Sequence, residues 1–345
     1  MMKASILKNA KEIDIIDIDI PKLKPNEVLV KVDYVGICGT DVSVYRGIYA
    51  AKDNVVLGHE YNGTVAEVGS KVSKVKVGDT VVSQASWGCD KCHWCYEGMT
   101  SYCESPNMLA RTIDGALAEY IAVLENILLK ISPDVPSVEA QGVVGVATAL
   151  RALHRSGLKL GDSALIIGPG YSGLIILQLC KLVGAKEVGM IGTRDTRLQL
   201  AKDLGADFTC NNRQDKDWEK DLLMKTGNMG FDVCIESSGT VPALLSAVRL
   251  VKKGGTVVQF GTSFDTIEGL PQNDFYKKEI SIIGSKGGFG FYSKAVDLLE
   301  QKKVKIESLI THIFPLTEVA RAFEIMDKRL GNVMRAAVFC DEDKI

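Results

Sequence analysis

The sequence lacks a charge excess: 41 Lys and Arg stand against 43 Asp and Glu, a formal net charge of −2. No global basic field recruits nucleic acid or an acidic lipid surface, so neither is an expected partner. Long hydrophobic runs are also missing. Stretches such as Val143 to Leu150 and Leu174 to Ile176 fall far short of the ~20 apolar residues that span a bilayer. The opening MMKASILKNAKEIDIIDIDI carries no basic-then-apolar-then-small signal pattern. There is no internal repeat and no low-complexity segment. The chain is therefore expected in the cytoplasm, where thiols stay reduced and clustered cysteines serve metals rather than disulfides.

What is present is ordinary for a globular protein, with 46% apolar and 24% charged residues. A length of 345 residues favours two domains. Glycine, 33 residues, exceeds the usual ~7%, and there are nine cysteines.

The first 130 residues read as strands and turns. Glu27 to Val35, Tyr61 to Val68 and Thr80 to Ser83 are short β-type runs, punctuated by Gly58, Gly63, Gly69 and Gly78. Near residue 145 the pattern changes. Apolar runs at Ser163 to Ile167, Val188 to Ile191, Phe231 to Ile235, Thr256 to Phe260 and Ile280 to Ile283 alternate with helical stretches at Leu174 to Val183, Thr196 to Leu204 and Val241 to Leu250. That alternation predicts a doubly wound parallel sheet, an α/β class. The polar stretch Asn211 to Gly230 reads as a surface helix with loops. Two amphipathic helices, Ser293 to Gln301 and Thr317 to Lys328, and a strand near Val333 to Phe339 close the chain.

Cys89, Cys92, Cys95 and Cys103 form C-x2-C-x2-C-x7-C. Four thiolates this close can complete a tetrahedral zinc shell, which leaves no position for substrate and marks a structural site. An iron–sulfur cluster is the competing reading. His93, inside the cluster, reads as a surface residue. Cys180, Cys210, Cys234 and Cys340 lie in or beside apolar runs and read as core thiols.

Cys38 differs, standing between glycines in GICGTD. With His59 and Glu60 it offers the sulfur, imidazole and carboxylate that an open catalytic zinc site recruits. There zinc would polarise an alcohol or carbonyl oxygen. Asp41 is the candidate to hold the second His59 nitrogen, and Thr40 to carry the alcohol proton. The competing reading is a buried thiol beside a satisfied core histidine.

Gly168-Pro169-Gly170-Tyr171-Ser172-Gly173 is G-x-G-x-x-G between a strand and a helix, the context of a dinucleotide-binding loop. Its glycines supply a tight turn, room for the pyrophosphate and close helix packing. An NAD site places an acidic residue about 20 residues on. Here that position is Gly192, followed by Thr193 and Arg194. A hydroxyl and a guanidinium suit the 2′-phosphate of NADP, with Arg197 as a further candidate. Asp195 falls one turn too late and starts the next helix.

With these motifs in order, and with VGDTV at 77–81 and DGALAEY at 114–120, the sequence resembles the zinc-dependent medium-chain dehydrogenase/reductase family of alcohol, polyol and threonine dehydrogenases. The resemblance implies a GroES-like β-rich catalytic domain, 1–146 and 290–345 with a zinc lobe at 86–104, and an inserted Rossmann domain at 147–289. It implies that Cys38, His59 and Glu60 hold catalytic zinc, that Asp41 and Thr40 serve as support and proton relay, and that Thr148 lies near the nicotinamide. It implies an NADP-dependent dehydrogenase or ketone reductase of small-molecule secondary alcohols, with a sugar alcohol or modified sugar as candidate substrate, assembled as a homodimer or homotetramer through KEISIIG at 278–284. Two positions depart. Val144 stands where the family's third zinc ligand falls, and Ser43 where many relatives have a relay histidine. The first departure keeps open a reductase with structural zinc alone, acting on an activated alkene, quinone or carbonyl. A cofactor-binding protein without catalysis is a third reading. Tyr45, Arg46, Trp87 and Asn107 are candidate pocket residues.

Overall fold

A computed structural model describes residues 1–341. The chain divides into two compact units: Met1–Gly145 together with the segment from Tyr292 onward, and Val146–Phe291.

In the first unit, among the described residues, the main sheet has seven strands. Its order is Leu128–Lys130, Thr80–Ser83, Glu60–Val68, Glu27–Gly36, Ala336–Phe339 and His312–Pro315, with Tyr120–Leu124 also paired to Glu27–Gly36. Glu27–Gly36 is the hub. One of its edges meets Glu60–Val68, and the other is shared by Tyr120–Leu124 and Ala336–Phe339. A strand flanked on both sides has no solvent edge, and Val28, Val30, Val32 and Val35 are all fully buried. Each such side chain contributes roughly 1.5–3 kcal/mol relative to exposure. Met2–Asn9 and Glu12–Ile18 form a hairpin that continues onto Val55–Val56.

The all-strand reading of this region needs correction at Gly39–Tyr45 and, for a single turn, at His93–Tyr96. A helix, Gly39–Tyr45, follows the hub strand directly. Seven residues span two turns, too few for a helical period to stand out against a strand. The helix is held by tertiary contacts: Val42, Val44 and Tyr45 are buried, and the Tyr45 ring lies 5.1 Å from Phe323.

The second unit carries a six-stranded parallel sheet in the order Phe208–Asn211, Glu187–Gly192, Ser163–Ile167, Phe231–Glu236, Val251–Gln259, Ser281–Gly284. Ser163–Ile167 is buried along its whole length, as a central parallel strand must be when helices cover both faces. The helices Tyr171–Val183, Asp195–Asp203 and Val241–Leu250 fall between strands as the alternation requires. Three elements were not anticipated, among them the helix Val143–Ser156, of which the sequence reading noted only the apolar stretch Val143 to Leu150. Of the other two, Phe208–Asn211 is a half-buried four-residue strand, and Gln272–Lys278 is a helix with no buried residue. Neither of these has the apolar density that marks an element in sequence. Within the polar stretch after Asn211 the helix is Trp218–Lys225. Among the described residues no helix is long and apolar enough to cross a membrane.

Candidate metal and cofactor sites

The turn after the hub strand builds the first site. Gly36 pairs with Glu60 across the sheet, so the residues just past each strand end, Cys38 and His59, come close. Cys38 begins the helix Gly39–Tyr45. Asp41, in its first turn and fully buried, binds the pieces together. Its Oδ2 accepts from the Cys38 N–H at 3.0 Å, and its Oδ1 accepts from the Gly58 N–H at 3.2 Å and faces His59 Nδ1 at 2.9 Å. A carboxylate there fixes the Nδ1–H tautomer and leaves Nε2 free to ligate. One ligand atom from each of Cys38, His59 and Glu60 lies within 4.8 Å of the others, and His59 Nε2 is 3.9 Å from Glu60 Oε1.

Burial pushes the Cys38 thiol up, but the His59 hydrogen bond, His59 charge and Arg335 charge outweigh it and leave it lowered to about 7. Burial lowers His59, while the Asp41 charge and hydrogen bond, with Cys38, raise it to about 10. These groups are polarised toward thiolate and imidazolium, so a cation binding here displaces the histidine proton. The donor set of one sulfur, one nitrogen and one oxygen suits zinc with a position left open.

Two residues at this site escaped the sequence reading. Arg335, 3% exposed, donates through Nη2 to Glu60 Oε2. Burial lowers its guanidinium, and the charges of Cys38 and Asp41 raise it. Gln141 is fully buried; its Nε2 donates to the Val138 carbonyl at 3.1 Å, and its Oε1 has no hydrogen-bond partner among the described residues. A Cβ at Gly36 would lie 2.0 Å from Gln141 Oε1 and 2.6 Å from Arg335 Nη2, so only glycine admits both. The signal for each was a polar residue inside an apolar run, in VMRAAVF and VEAQGVVGV.

Of the other candidates, Thr40 sits half-buried in the same helical turn. The Ser43 hydroxyl is turned back onto the Gly39 carbonyl at 3.1 Å. Val144 is buried at 6% exposure. The pocket candidates take structural partners: Arg46 binds the Asp327 carboxylate and, at 2.8 Å, its carbonyl; Tyr45 packs on Phe323; Asn107 donates to the Gly88 carbonyl at 3.0 Å and pairs with Trp87 across a two-stranded ladder.

The cysteine lobe is the second site. Cys89, Cys92, Cys95 and Cys103 gather within 4.8 Å of one another. Cys92 Sγ is 3.6 Å from Cys95 Sγ and 3.9 Å from Cys103 Sγ. Four sulfurs about 2.3 Å from a single zinc sit about 3.8 Å apart, so the spacing fits one tetrahedral ion rather than a multi-iron cluster that spreads its thiolates wider. Cys89 N–H donates to Cys103 Sγ at 3.3 Å. The Glu104 backbone N–H leads the groups that lower the Cys92 thiol to about 6, whereas burial raises Cys103. Helix His93–Tyr96 contributes no buried residue, so the lobe has little core beyond the Trp94 and Tyr102 rings, 5.4 Å apart. His93 is exposed.

In the second unit Gly168–Gly173 turns from the strand Ser163–Ile167 into the helix Tyr171–Val183. Gly168 takes φ +117°, and a Cβ on Gly173 would fall 2.1 Å from the Gly168 carbonyl. A Cβ on Gly170 would meet nothing within 4 Å, leaving the open cradle a pyrophosphate requires. Gly168 N–H donates to the Ile191 carbonyl at 2.9 Å, which places the loop beside Gly192, Thr193 and Arg194. Thr193 is exposed, and Arg194 is half-buried at the start of the helix Asp195–Asp203, with Arg197 in its first turn. Thr148 lies in the helix Val143–Ser156.

Residues 24–134 match the alcohol dehydrogenase GroES-like domain, and residues 173–301 match the zinc-binding dehydrogenase family. The β-rich first unit and the parallel second unit are thus a GroES-like and a Rossmann fold. The chain is 35% identical to D-arabitol-phosphate dehydrogenase of Enterococcus avium, over 90% of this chain and 89% of that protein. It is 31% identical to sorbitol dehydrogenase of Bacillus subtilis, over 94% and 93%. A solved zinc-binding dehydrogenase from Sinorhizobium meliloti, bound to NADP, superposes with TM-score 0.92 at 28% identity, covering 98% of this chain and 99% of its own.

Proposed function

Since the chain belongs to the zinc-binding alcohol dehydrogenase family and is an NAD(P)-dependent oxidoreductase acting on CH–OH groups, we propose that it is an NADP-preferring polyol dehydrogenase. It interconverts a secondary alcohol of a sugar alcohol or modified sugar with the corresponding ketone. The observation that carries this reading is the convergence of Cys38, His59 and Glu60 around Asp41, which supplies a third protein donor where Val144 has none. The polyol substrates in the relatives' names support the substrate class.

When bound, zinc supplies Lewis acidity to the substrate oxygen, and NADP supplies the hydride acceptor. The chain's residues do the rest. Asp41 holds His59 in the ligating tautomer. The Thr40 hydroxyl would take the alcohol proton and pass it to water rather than to Ser43, whose hydroxyl is engaged with the Gly39 carbonyl. The loop Gly168–Gly173 receives the pyrophosphate, Thr148 lies near the nicotinamide, and Thr193, Arg194 and Arg197 receive the 2′-phosphate. The four-cysteine lobe holds a second, structural zinc. The protein works in the cytoplasm as a homodimer or homotetramer paired through Ser281–Gly284, the outermost strand of its sheet; a monomer in sedimentation at micromolar concentration contradicts that pairing.

The test is metal content together with NADP(H)- and NAD(H)-linked rates on a panel of sugar alcohols and ketoses. Two zinc per chain and faster NADP-linked polyol turnover are expected. Val144 favours a second reading, a reductase of activated alkenes, quinones or carbonyls with structural zinc alone. One zinc per chain, with turnover confined to those substrates, selects it.

A further inference from the structure

The strand end that carries the cofactor-discriminating residues is bonded to its neighbour. Gly192 pairs with Asn211, and Asn212 N–H donates to the Gly192 carbonyl at 3.0 Å. Here Asp195, the one acid beside Arg194, is taken by two neutral amides. Asn211 Nδ2 donates to its Oδ1 at 2.7 Å, and Gln214 Nε2 donates to its Oδ2 at 3.0 Å. Asn211 Oδ1 in turn accepts from the Arg213 N–H at 3.1 Å. A carboxylate next to arginines ordinarily pairs with one, since charge-assisted contacts are the stronger ones. Neither Arg194 nor Arg213 makes an ion pair or side-chain hydrogen bond among the described residues. Asn212, bonded to Gly192 and next to Arg213 in the chain, buries an Oδ1 that has no hydrogen-bond partner among the described residues. A buried acceptor of this kind is exceptional in a folded protein, and a bound nucleotide can satisfy it.

We propose that Asn211 and Gln214 clasp the Asp195 carboxylate so that it neither accepts from the cofactor ribose nor neutralises the arginines, and that Arg213, from the adjoining strand end, joins Thr193 and Arg194 in holding the 2′-phosphate. Cofactor choice is then set by the ends of two strands, Glu187–Gly192 and Phe208–Asn211, rather than by one. Asn211, Gln214 and Asp195 are positioning residues, and Arg213 is a specificity-determining contact. This deepens the NADP reading above and rests on it.

The test is fluorescence titration of the zinc-loaded full-length protein with NADPH and, separately, NADH. Arg213→Ala is expected to weaken NADPH about tenfold, the size of one lost charge-assisted bond, and to weaken NADH less. The double variant Asn211→Ala/Gln214→Ala is expected to move the NADPH-to-NADH affinity ratio toward NADH by about tenfold. Adding Asp195→Ala to that double variant should reverse the shift, because the freed carboxylate is what causes it. The proposal is overturned if Arg213→Ala weakens both cofactors alike, or if the folded double variant keeps the ratio of the wild type. Should the double variant not fold, the exposed single variant Asp195→Ala decides. Selective weakening of NADH shows the carboxylate already on the ribose and overturns the clasp, and no selective weakening supports it. A wild type that binds NADH more tightly than NADPH refutes the NADP reading itself, a different result from any of these.

Discussion

The first unit holds two clusters of metal-ligating side chains built on opposite plans. The lobe takes four cysteines from one fifteen-residue stretch, and among the described residues no buried charge supports them. The Cys38 centre takes three different donors from two segments and surrounds them with charge: Asp41 against His59, and Arg335, 275 residues along the chain, against Glu60. A shell of four thiolates is complete in itself and needs only to be closed. A mixed, three-donor shell must keep a position open, so its geometry has to come from outer residues that fix tautomer and orientation. A metal in the lobe would therefore replace a missing core, and one at the other centre would borrow a core already made by the hub strand.

That contrast predicts opposite consequences for equivalent substitutions. Cys38→Ser is expected to remove one of two zinc ions and to lower turnover on the order of 10³-fold, since Lewis-acid stabilisation is worth several kcal/mol. The thermal midpoint should move little, because the surrounding sheet is intact. Zinc by mass spectrometry, steady-state rates and a melting curve read all three, and a large fall in the midpoint would erase the distinction. Cys92→Ser is expected to do the reverse. The lobe zinc is lost and protease cuts between residues 86 and 108, where the lobe has no other core, at a rate at least about tenfold above wild type for each ~1.4 kcal/mol of lost local stability. Asp41→Asn tests the outer layer alone. An amide cannot hold the Nδ1–H of His59 as a carboxylate does, and loss of such a partner costs about 10–100-fold in metal affinity or activity. Competition with a chelator should show that cost at the Cys38 centre and none at the lobe.

The same contrast explains what could be read from sequence. The lobe and the glycine loop are local, so residue spacing, together with the strand and helix that flank the loop, marks them as candidates. Cys38, His59 and Glu60 were legible as candidates because soft ligands are few, and the strand pairing Gly36–Glu60 brings them together. Arg335 and Gln141 were not, because each is a lone polar residue in an apolar run whose partner is fixed only by the tertiary fold. The helix Gly39–Tyr45 hid for a related reason: its stability comes from the buried Asp41, Val42 and Tyr45 rather than from a repeating pattern. The strand Phe208–Asn211 is short and half-buried, yet its end carries the amides that engage Asp195.

The smallest expected effect sharpens the comparison most. By the family resemblance, Val144→Glu would offer the Cys38 centre a fourth protein donor and push it toward the closed plan of the lobe. The position is 6% exposed, so an ionised carboxylate there is costly unless it finds a cation. Zinc-free protein should therefore melt lower than zinc-free wild type, while the zinc-loaded variant recovers the difference. Zinc release to a chelator should slow by about tenfold, the scale of one added charge-assisted contact. Turnover should not rise in proportion, because a shell with four protein donors competes with the substrate oxygen for the open position. If loaded and zinc-free forms are destabilised equally, the glutamate has not reached the metal. Glu60 then completes the protein's share of the shell, and the centre is open by construction rather than short of a ligand.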